Sequence, residues 1–248
     1  MVILTTLYNS ENYVERCLYS IMSQTFKDFK CYITDDLSTD NSVNIVKKII
    51  ETDDRFILIE NSEKLYQPGN YDQVIRYNEN ISNDEICVEV DGDDWLPDSK
   101  TLERINNVYN DPNVWIANGS FRYSNGMSGF SKKQLNFESI RTQRFTASHI
   151  RTWRAFLWRN ILEDDLKDED GTYWKVTGDL SFMYPMLEMS GEEHYTFMKD
   201  INYVYNEQNP INDHKVDLKL VNDIAVKIRN KNPYKKITKN EKNLVRPI

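Results

Sequence analysis

The chemistry that this sequence could perform is concentrated in an acidic turn, Asp91-Gly92-Asp93-Asp94, which directly follows the apolar stretch 86–90. Together with Glu89, four acidic residues lie within six positions. Two carboxylates about 4 Å apart repel each other by roughly 4 kcal/mol at an effective dielectric constant near 20. A bound cation is the natural compensation, and donors that are all oxygen favour hard Mg²⁺ or Mn²⁺. The turn therefore predicts a divalent metal site.

Two other interpretations of this acidic turn need to be weighed. A calcium-binding EF-hand loop beginning at Asp91 would need glycine at its sixth position and glutamate at its twelfth. Leu96 and Leu102 stand there instead, and a strand precedes the turn where a helix is required. The EF-hand is therefore rejected. An acidic turn that merely caps the following helix stays open as the second interpretation.

The elements that must position this turn alternate regularly over the first hundred residues. Four apolar runs predict strands, at residues 2–7, 31–33, 56–59 and 86–90. Apolar residues recur at helical spacing between them, at residues 14–22, 43–50 and 71–78. This alternation predicts an α/β fold with a mostly parallel sheet that helices cover on both faces.

Polar residues follow three of the predicted strands. The first strand runs into Thr6 and Tyr8, the second into Asp35 and Asp36, and the fourth into the acidic turn. Ligands bind open α/β sheets at the carboxyl ends of the strands. We therefore expect these side chains to form one site at one edge of the sheet.

The pattern changes in the second half of the chain. A helix is predicted after Asp98, which could cap it, and a helix start is predicted at Thr177-Gly178-Asp179. The intervening segments are predicted as a strand at 114–117, loops and short strands at 119–136, a helix at 150–162 and an acidic surface loop at 164–171.

The first hundred residues resemble the opening of the family 2 glycosyltransferases, which have the GT-A fold. The resemblance rests on three motifs in the right order and spacing, at residues 6–13, 20–26 and 34–40. The acidic turn lies where that family carries its D-x-D metal motif. Two departures are evident, because Leu37 replaces the usual glycine and residues 62–70 replace a glycine-rich turn.

The resemblance implies how a nucleoside-diphosphate sugar would be bound, a uridine diphosphate (UDP) sugar being favoured. Asp36, and with it Asp35, would accept the imide N–H of a uracil ring. Thr6 and Tyr8 would line the pocket for the base and the ribose. Asn70 would contact the ribose or a phosphate.

The resemblance also implies a metal site for Mn²⁺ or Mg²⁺. Asp93 would coordinate the ion directly, while Asp91 would hold the ribose or a metal-bound water. His214 would contact the metal or the diphosphate from a C-terminal loop. His149, Arg151 and Arg154 are weaker candidates for contacts with an acceptor or with phosphate.

Asp179 is the candidate general base. In inverting members of the family, a carboxylate deprotonates the acceptor hydroxyl as it attacks the anomeric carbon. At the start of a helix Asp179 would stay ionised, because the helix dipole favours negative charge there. The alternative is that Asp179 only caps this helix, a common role for aspartate.

Composition limits the possible partners and the location. The net charge is −8, and the segment from residue 215 onward carries +7, so the preceding residues carry −15. An acidic body argues against nucleic-acid binding, which depends on neutralising phosphates. The basic tail could contact a membrane surface, an anionic acceptor or the acidic body, or could form a solvated helix. No apolar stretch is long enough for a transmembrane segment, and no signal peptide is recognised.

The three cysteines are Cys17, Cys31 and Cys87, and they show no metal-ligand spacing. Each falls on the apolar face of a predicted helix or strand. We expect buried, reduced thiols in a cytoplasmic protein that could be peripheral at a membrane surface.

The sequence thus predicts a metal-dependent, inverting glycosyltransferase of hexosyltransferase type, which moves a sugar from a nucleotide-sugar donor to a glycan or another hydroxyl-bearing acceptor. Residues 1–100 would bind the donor, residues 101–214 would form a smaller region that binds the acceptor and carries the base, and residues 215–248 would be a partly helical tail. A catalytically inactive sugar-nucleotide-binding module and a nucleotidyltransferase are the alternatives. The latter would need a glycine-rich, basic loop near the N-terminus, which residues 5–11 do not provide.

Overall fold

The structure, a computed structural model, describes residues 1–212, 215 and 217–238. Over these residues a seven-stranded sheet has the order β3-β2-β1-β4-β6-β5-β7. The strands are β1 (Val2–Leu7), β2 (Lys30–Asp35), β3 (Phe56–Glu60), β4 (Ile86–Glu89), β5 (Ile116–Tyr123), β6 (Arg151–Arg154) and β7 (Tyr195–Tyr205). Only β6 runs antiparallel to its neighbours. The predicted α/β fold with a mostly parallel sheet is confirmed.

Helices cover both faces of this sheet. They are α1 (Val14–Met22), α2 (Ser42–Ile50), α3 (Tyr66–Ile75), α4 (Thr101–Tyr109), α5 (Ala155–Arg159), α6 (Gly178–Ser190) and α7 (Leu218–Arg229). Alternation along β1 sends Val2 and Leu4 into one apolar core with α3, α5 and α6, and Ile3 into the other core with α1 and α4. Cys17, Cys31 and Cys87 are buried thiols, as predicted.

The prediction of one helix over 150–162 is wrong. The segment divides into the strand β6 and the short helix α5. Backbone pairing with β4 on one side and β5 on the other outweighs the helical spacing of the apolar residues, and it buries Trp153 in the core. Trp158, from α5, packs against Trp153 in the same core, with the ring centres 5.8 Å apart.

Two other predicted elements have different bounds in the structure. The third helix spans Tyr66–Ile75 and not 71–78, since Pro68 lies in its first turn, where proline is tolerated. The strand predicted at 114–117 begins at Ile116 and continues to Tyr123, because β7 pairs with it along its whole length. The first part of the region predicted as loops and short strands therefore belongs to this long strand.

Strand direction places the candidate site residues at one edge. β1, β2 and β4 are parallel, so their carboxyl ends meet there. β6 is antiparallel to β4 with Val88 opposite Thr152, so Arg151 begins its strand level with Glu89. The start of α6 reaches the same edge by close packing, since a β-carbon at Gly178 would lie only 2.7 Å from the Pro68 ring of α3.

The described part of the basic tail packs on the body. Ile224 and Ile228 of α7 are buried in the core. Lys227 pairs with Asp168 at 3.0 Å, and Lys231 pairs with Asp165 at 3.3 Å. Among the alternatives for this tail, contact with the acidic body is the one observed, while residues 239–248 lie outside the described part. No helix in the described part of the chain has the length and apolar character needed to span a membrane.

A buried ion pair ties α6 to the C-terminal segment. Arg141 donates to both carboxylate oxygens of Glu188, at 2.6 and 2.8 Å, and also to the carbonyl oxygen of Ile228 at 2.9 Å. The Tyr234 backbone N–H donates to Glu188 at 2.9 Å. Glu188 thus has a structural role away from the acidic turn.

Replacing Glu188 with alanine should lower the free energy of unfolding by about 3–5 kcal/mol, because Arg141 would remain buried without its partner. Urea denaturation of the purified variant measures this change. The matched control is E192A, which removes an exposed carboxylate that lies 3.7 Å from the Lys133 ammonium and should cost less than about 0.5 kcal/mol. Equal effects of the two substitutions would contradict the structural role of Glu188.

Candidate active site

A cleft of about 430 Å³ opens at the carboxyl edge of the sheet. Six of the predicted site residues line it, namely Thr6, Tyr8, Asp36, Asp91, Asp93 and Asp179. Asp35 and Asn70 do not appear among the lining residues, and His214 lies outside the described residues. The cleft thus brings the acidic turn, the end of β1 and the start of α6 together.

The acidic turn is held by contacts from three directions. Gln67 donates to Oδ1 of Asp91 at 3.2 Å, and the Tyr203 hydroxyl lies 3.4 Å from Oδ2. Asn209 donates to Oδ2 of Asp93 at 2.7 Å. A β-carbon at Gly92 would lie 2.8 Å from the Thr6 carbonyl oxygen, so only glycine allows this turn to pack so closely against β1.

The turn carries more negative charge than its protein partners balance. Burial and, next, repulsion from Asp93 raise the pKa of Asp91 to about 6. Burial raises the pKa of Asp93 and, together with its acidic neighbours, holds the pKa of Asp94 well above the usual range. Within the described part of the chain, Oδ2 of Asp94 is buried without a hydrogen-bond partner. This cluster of oxygen donors fits a hard divalent cation.

A second group of possible ligands lies beside the turn. Ligand atoms of Glu89, Asp91 and His149 come within 4.8 Å of one another. However, Nη1 of Arg151 lies 2.5 Å from Oε1 of Glu89 and 3.4 Å from Nδ1 of His149. A guanidinium group therefore already supplies positive charge to this pocket.

Arg151 also binds the predicted base. Its Nη2 donates to Oδ2 of Asp179 at 2.5 Å. Burial alone would lower the pKa of this guanidinium, but the carboxylates of Glu89, Asp179 and Asp91 outweigh burial and raise it. Burial raises the pKa of Glu89 to about 8, although Arg151 opposes that shift. A single cation thus lies between two carboxylates from different elements.

The start of α6 shows what Asp179 does in its own helix. Thr177 precedes the helix with φ at 57°, and among the described residues no side chain accepts a capping hydrogen bond there. Oδ1 of Asp179 accepts only from the adjacent backbone N–H of Leu180, at 3.0 Å. The other carboxylate oxygen accepts from Arg151 in the cleft, so Asp179 makes a contact beyond its own helix, and the helix-cap interpretation stays open.

The opposite end of the cleft is built around Asp36. The backbone N–H groups of Leu65 and Tyr66 donate to its two oxygens at 2.8 and 3.0 Å. The Lys64 ammonium lies 3.5 Å from Oδ2 of Asp36 and 2.9 Å from the centre of the Tyr8 ring. Tyr8 is 41% exposed. A nucleobase that stacked on Tyr8 would compete with the Lys64 ammonium for the face of that ring.

Asp35 and Asn70 form hydrogen bonds with the loops around Asp36. Oδ2 of Asp35 accepts from the Ser38 backbone N–H at 3.2 Å. Oδ1 of Asn70 accepts from Asn61 at 2.7 Å, and Asn61 in turn donates to Asp36. Both side chains thus act in the structure by holding the loops around Asp36.

Glu89 and Arg151 have larger roles in the structure than the sequence indicates. Glu89 was counted only as part of the acidic turn, and Arg151 only as a weaker candidate for an acceptor or phosphate contact. A signal was present, because a strand starting at Arg151 and antiparallel to β4 would have placed its side chain beside Glu89. A helix over 150–162, as predicted from the sequence, does not place Arg151 beside Glu89.

The sheet order and the acidic turn at the end of β4 define a GT-A glycosyltransferase fold. Residues 2–167 match the family model described as Glycosyl transferase family 2, and the chain belongs to this family.

Two named relatives are similar over part of the chain. Glycosyltransferase GlyA of Streptococcus pneumoniae is 32% identical over 96 residues, which are 39% of this chain and 13% of that protein. The dTDP-rhamnosyl transferase RfbG of Shigella flexneri is 29% identical over 128 residues, 51% of this chain and 44% of that protein. The chain thus matches less than half the length of either relative.

Two solved structures share the fold over nearly the whole chain. Residues 1–349 of S. aureus TarS, in complex with UDP-GlcNAc, superpose with a TM-score of 0.66 at 17% identity, covering 98% of this chain and 69% of that one. The mannosyltransferase PcManGT of Pyrobaculum calidifontis, in complex with GDP-Man and Mn²⁺, gives 0.60 at 17% identity, covering 94% and 65%.

If the acidic turn holds a divalent cation, Mn²⁺ should raise the thermal midpoint of the protein, and D93N should reduce that rise by at least half because one ligand loses its charge. Differential scanning fluorimetry over a Mn²⁺ titration measures the rise. D200N, which changes an exposed carboxylate on β7, is the control and should respond as the wild type does. Identical Mn²⁺ responses of D93N and wild type would contradict a metal site at Asp93.

Proposed function

We propose that the protein transfers a sugar from a nucleoside-diphosphate sugar, with a UDP-sugar favoured, to the hydroxyl of a glycan or another acceptor. The observation that carries the proposal is the cleft itself. It is lined by the acidic turn, by Asp179 at the start of α6 and by the exposed aromatic ring of Tyr8. Membership of family 2 supports glycosyl transfer.

The uracil end of the donor is proposed to lie at Tyr8 and Thr6. Stacking on an aromatic ring contributes about 1–3 kcal/mol per base, and the buried Oγ1 of Thr6 has no hydrogen-bond partner among the described residues. Asp36 is proposed to read the imide N–H, sharing its oxygens with the backbone groups that already bind it. The complexes of TarS with UDP and UDP-GlcNAc support a uridine donor by analogy of fold.

A divalent cation, Mn²⁺ or Mg²⁺, is proposed at Asp93 with help from Asp91. His214 was predicted to join this site and stays a proposal, since it lies outside the described residues. When bound, the ion would neutralise charge on the departing diphosphate. The Mn²⁺ complex of PcManGT supports this assignment by analogy.

Asp179 is proposed as the general base of an inverting displacement. It would take the proton of the acceptor hydroxyl while that oxygen forms a bond to the anomeric carbon. The bond from the same carbon to the diphosphate oxygen breaks on the opposite side, and the electron pair leaves with the nucleoside diphosphate. Only one carboxylate is needed to activate the acceptor in this reaction, and Asp179 lines the same cleft as Tyr8 and the acidic turn.

The two halves of the chain are proposed to share this work. Residues 1–100 would hold the donor and the metal, and residues 101–214 would supply the base and the acceptor surface. Residues 215–248 would form the basic tail, whose described part stabilises the body through α7.

D179N should reduce UDP release from UDP-GlcNAc or UDP-glucose, with water as the acceptor, by at least 100-fold, because general-base catalysis contributes about 10²–10⁴ in rate. The dissociation constant for UDP with Mn²⁺ should change less than threefold, as measured by isothermal titration calorimetry. D168N is the matched control, because it also removes an ion-paired carboxylate from the second half of the chain but lies outside the cleft.

A wild-type rate of UDP release in D179N would contradict the base assignment. If the wild-type protein binds UDP with Mn²⁺ but turns over no sugar nucleotide, the inactive binding module becomes the better description.

A further inference from the structure

We propose that Arg151 is a positioning residue, which holds the carboxylate of Asp179 in its working orientation by anchoring it to the buried Glu89. The inference rests on the proposed role of Asp179 as the base. It assigns to a residue of β6 a function that is exerted through Asp179.

The anchor is rigid because it is part of the sheet. Glu89 is the last residue of β4 and is fully buried, and Arg151 is the first residue of β6 and only 4% exposed. The neighbouring residues Val88 and Thr152 stand opposite each other in the antiparallel ladder. The paired strands thus fix the backbones of both residues, and the contact with Glu89 at 2.5 Å holds the guanidinium.

The group that this anchor holds lies on a less constrained element. Asp179 is in the first turn of α6, and its side chain is 22% exposed. Its own helix offers only the adjacent Leu180 N–H as a partner. The contact of Nη2 with Oδ2, at 2.5 Å, is therefore what fixes the direction of the carboxylate relative to the sheet.

An arginine suits this role better than a lysine. Glu89 and Asp179 approach different nitrogens of the same planar group, each at 2.5 Å. A guanidinium presents such donors in a fixed fork, whereas an ammonium is a single point of charge on a flexible stem. A misplacement of about 1 Å in a catalytic group can reduce the rate about 100-fold.

Arg154, at the other end of β6, has a purely structural role. It is also buried, but its three donor nitrogens bind the backbone carbonyl oxygens of Val114, Asp84 and Tyr109. It does not line the cleft, whereas Arg151 does. The two residues thus form a matched pair on one strand, one facing carboxylates of the site and the other facing loops.

The test compares R151K with R154K. R151K should reduce kcat for UDP release from UDP-GlcNAc or UDP-glucose by at least 30-fold, while KM for the sugar nucleotide and the dissociation constant for UDP with Mn²⁺ change less than threefold. R154K should lower the thermal midpoint as R151K does but leave kcat within threefold of wild type. An equal kcat for the two variants overturns the proposal, and so does a rise in KM without a fall in kcat, because Arg151 would then bind the donor.

The double variant R151K/D179N separates a positioning role from an independent one. If Arg151 acts through Asp179, the double variant should be no slower than D179N alone, since residues that act as a unit are not additive. A further tenfold loss overturns the proposal. Should R151K fail to fold, E89A removes the oxygen that anchors the guanidinium, and it should lower kcat at least tenfold without changing UDP affinity. An unchanged kcat in E89A would overturn the proposal in that case.

These outcomes distinguish the inference from the function on which it rests. A fully active D179N contradicts the base assignment itself. A disabled D179N beside a fully active R151K contradicts only the role of Arg151.

Discussion

The rest of the site depends on the two ion pairs that Arg151 forms, one with Glu89 and one with Asp179. A fully buried carboxylate is costly unless a cation satisfies it, and removing one partner of such a pair typically costs about 3–5 kcal/mol. The antiparallel strand β6 supplies this cation, since Arg151 is its first residue. Because β6 starts where β4 ends, it brings a cation to the edge where the carboxylates gather.

This arrangement divides the negative charge of the cleft into two parts. Arg151 pairs with both Glu89 and Asp179, so these two carboxylates share one positive charge. In the described part of the chain no cation forms an ion pair with Asp91, Asp93 or Asp94. Burial raises the pKa of all three, and repulsion from neighbouring carboxylates adds to this rise for Asp91 and Asp94. A metal ion at the acidic turn would complete the balance, and the protein cation and the metal ion would then serve different carboxylates.

Sequence patterns predicted those parts of the molecule that are fixed by local periodicity. The strands β1 to β4, the helices α1 and α2 and the start of α6 at Gly178 follow from apolar spacing and turn residues. The four residues of β6 were missed, since only pairing with strands more than 30 positions away distinguishes them from a helix. The loop that binds Asp36 was not predicted either. Leu65 and Tyr66 bind Asp36 through their backbone N–H groups, and such contacts do not depend on the residue type.

The central claim is that one cleft binds a nucleoside diphosphate together with a divalent cation. A thermal-shift panel of UDP, GDP, CDP and dTDP, each with and without Mn²⁺, tests it most directly, since a ligand in hundredfold excess over its dissociation constant stabilises the folded state by about 2.7 kcal/mol. The account predicts a rise in the midpoint with UDP that requires Mn²⁺ and exceeds the effect of Mn²⁺ alone. Midpoints that no nucleotide changes, in the presence or absence of the metal, would contradict it.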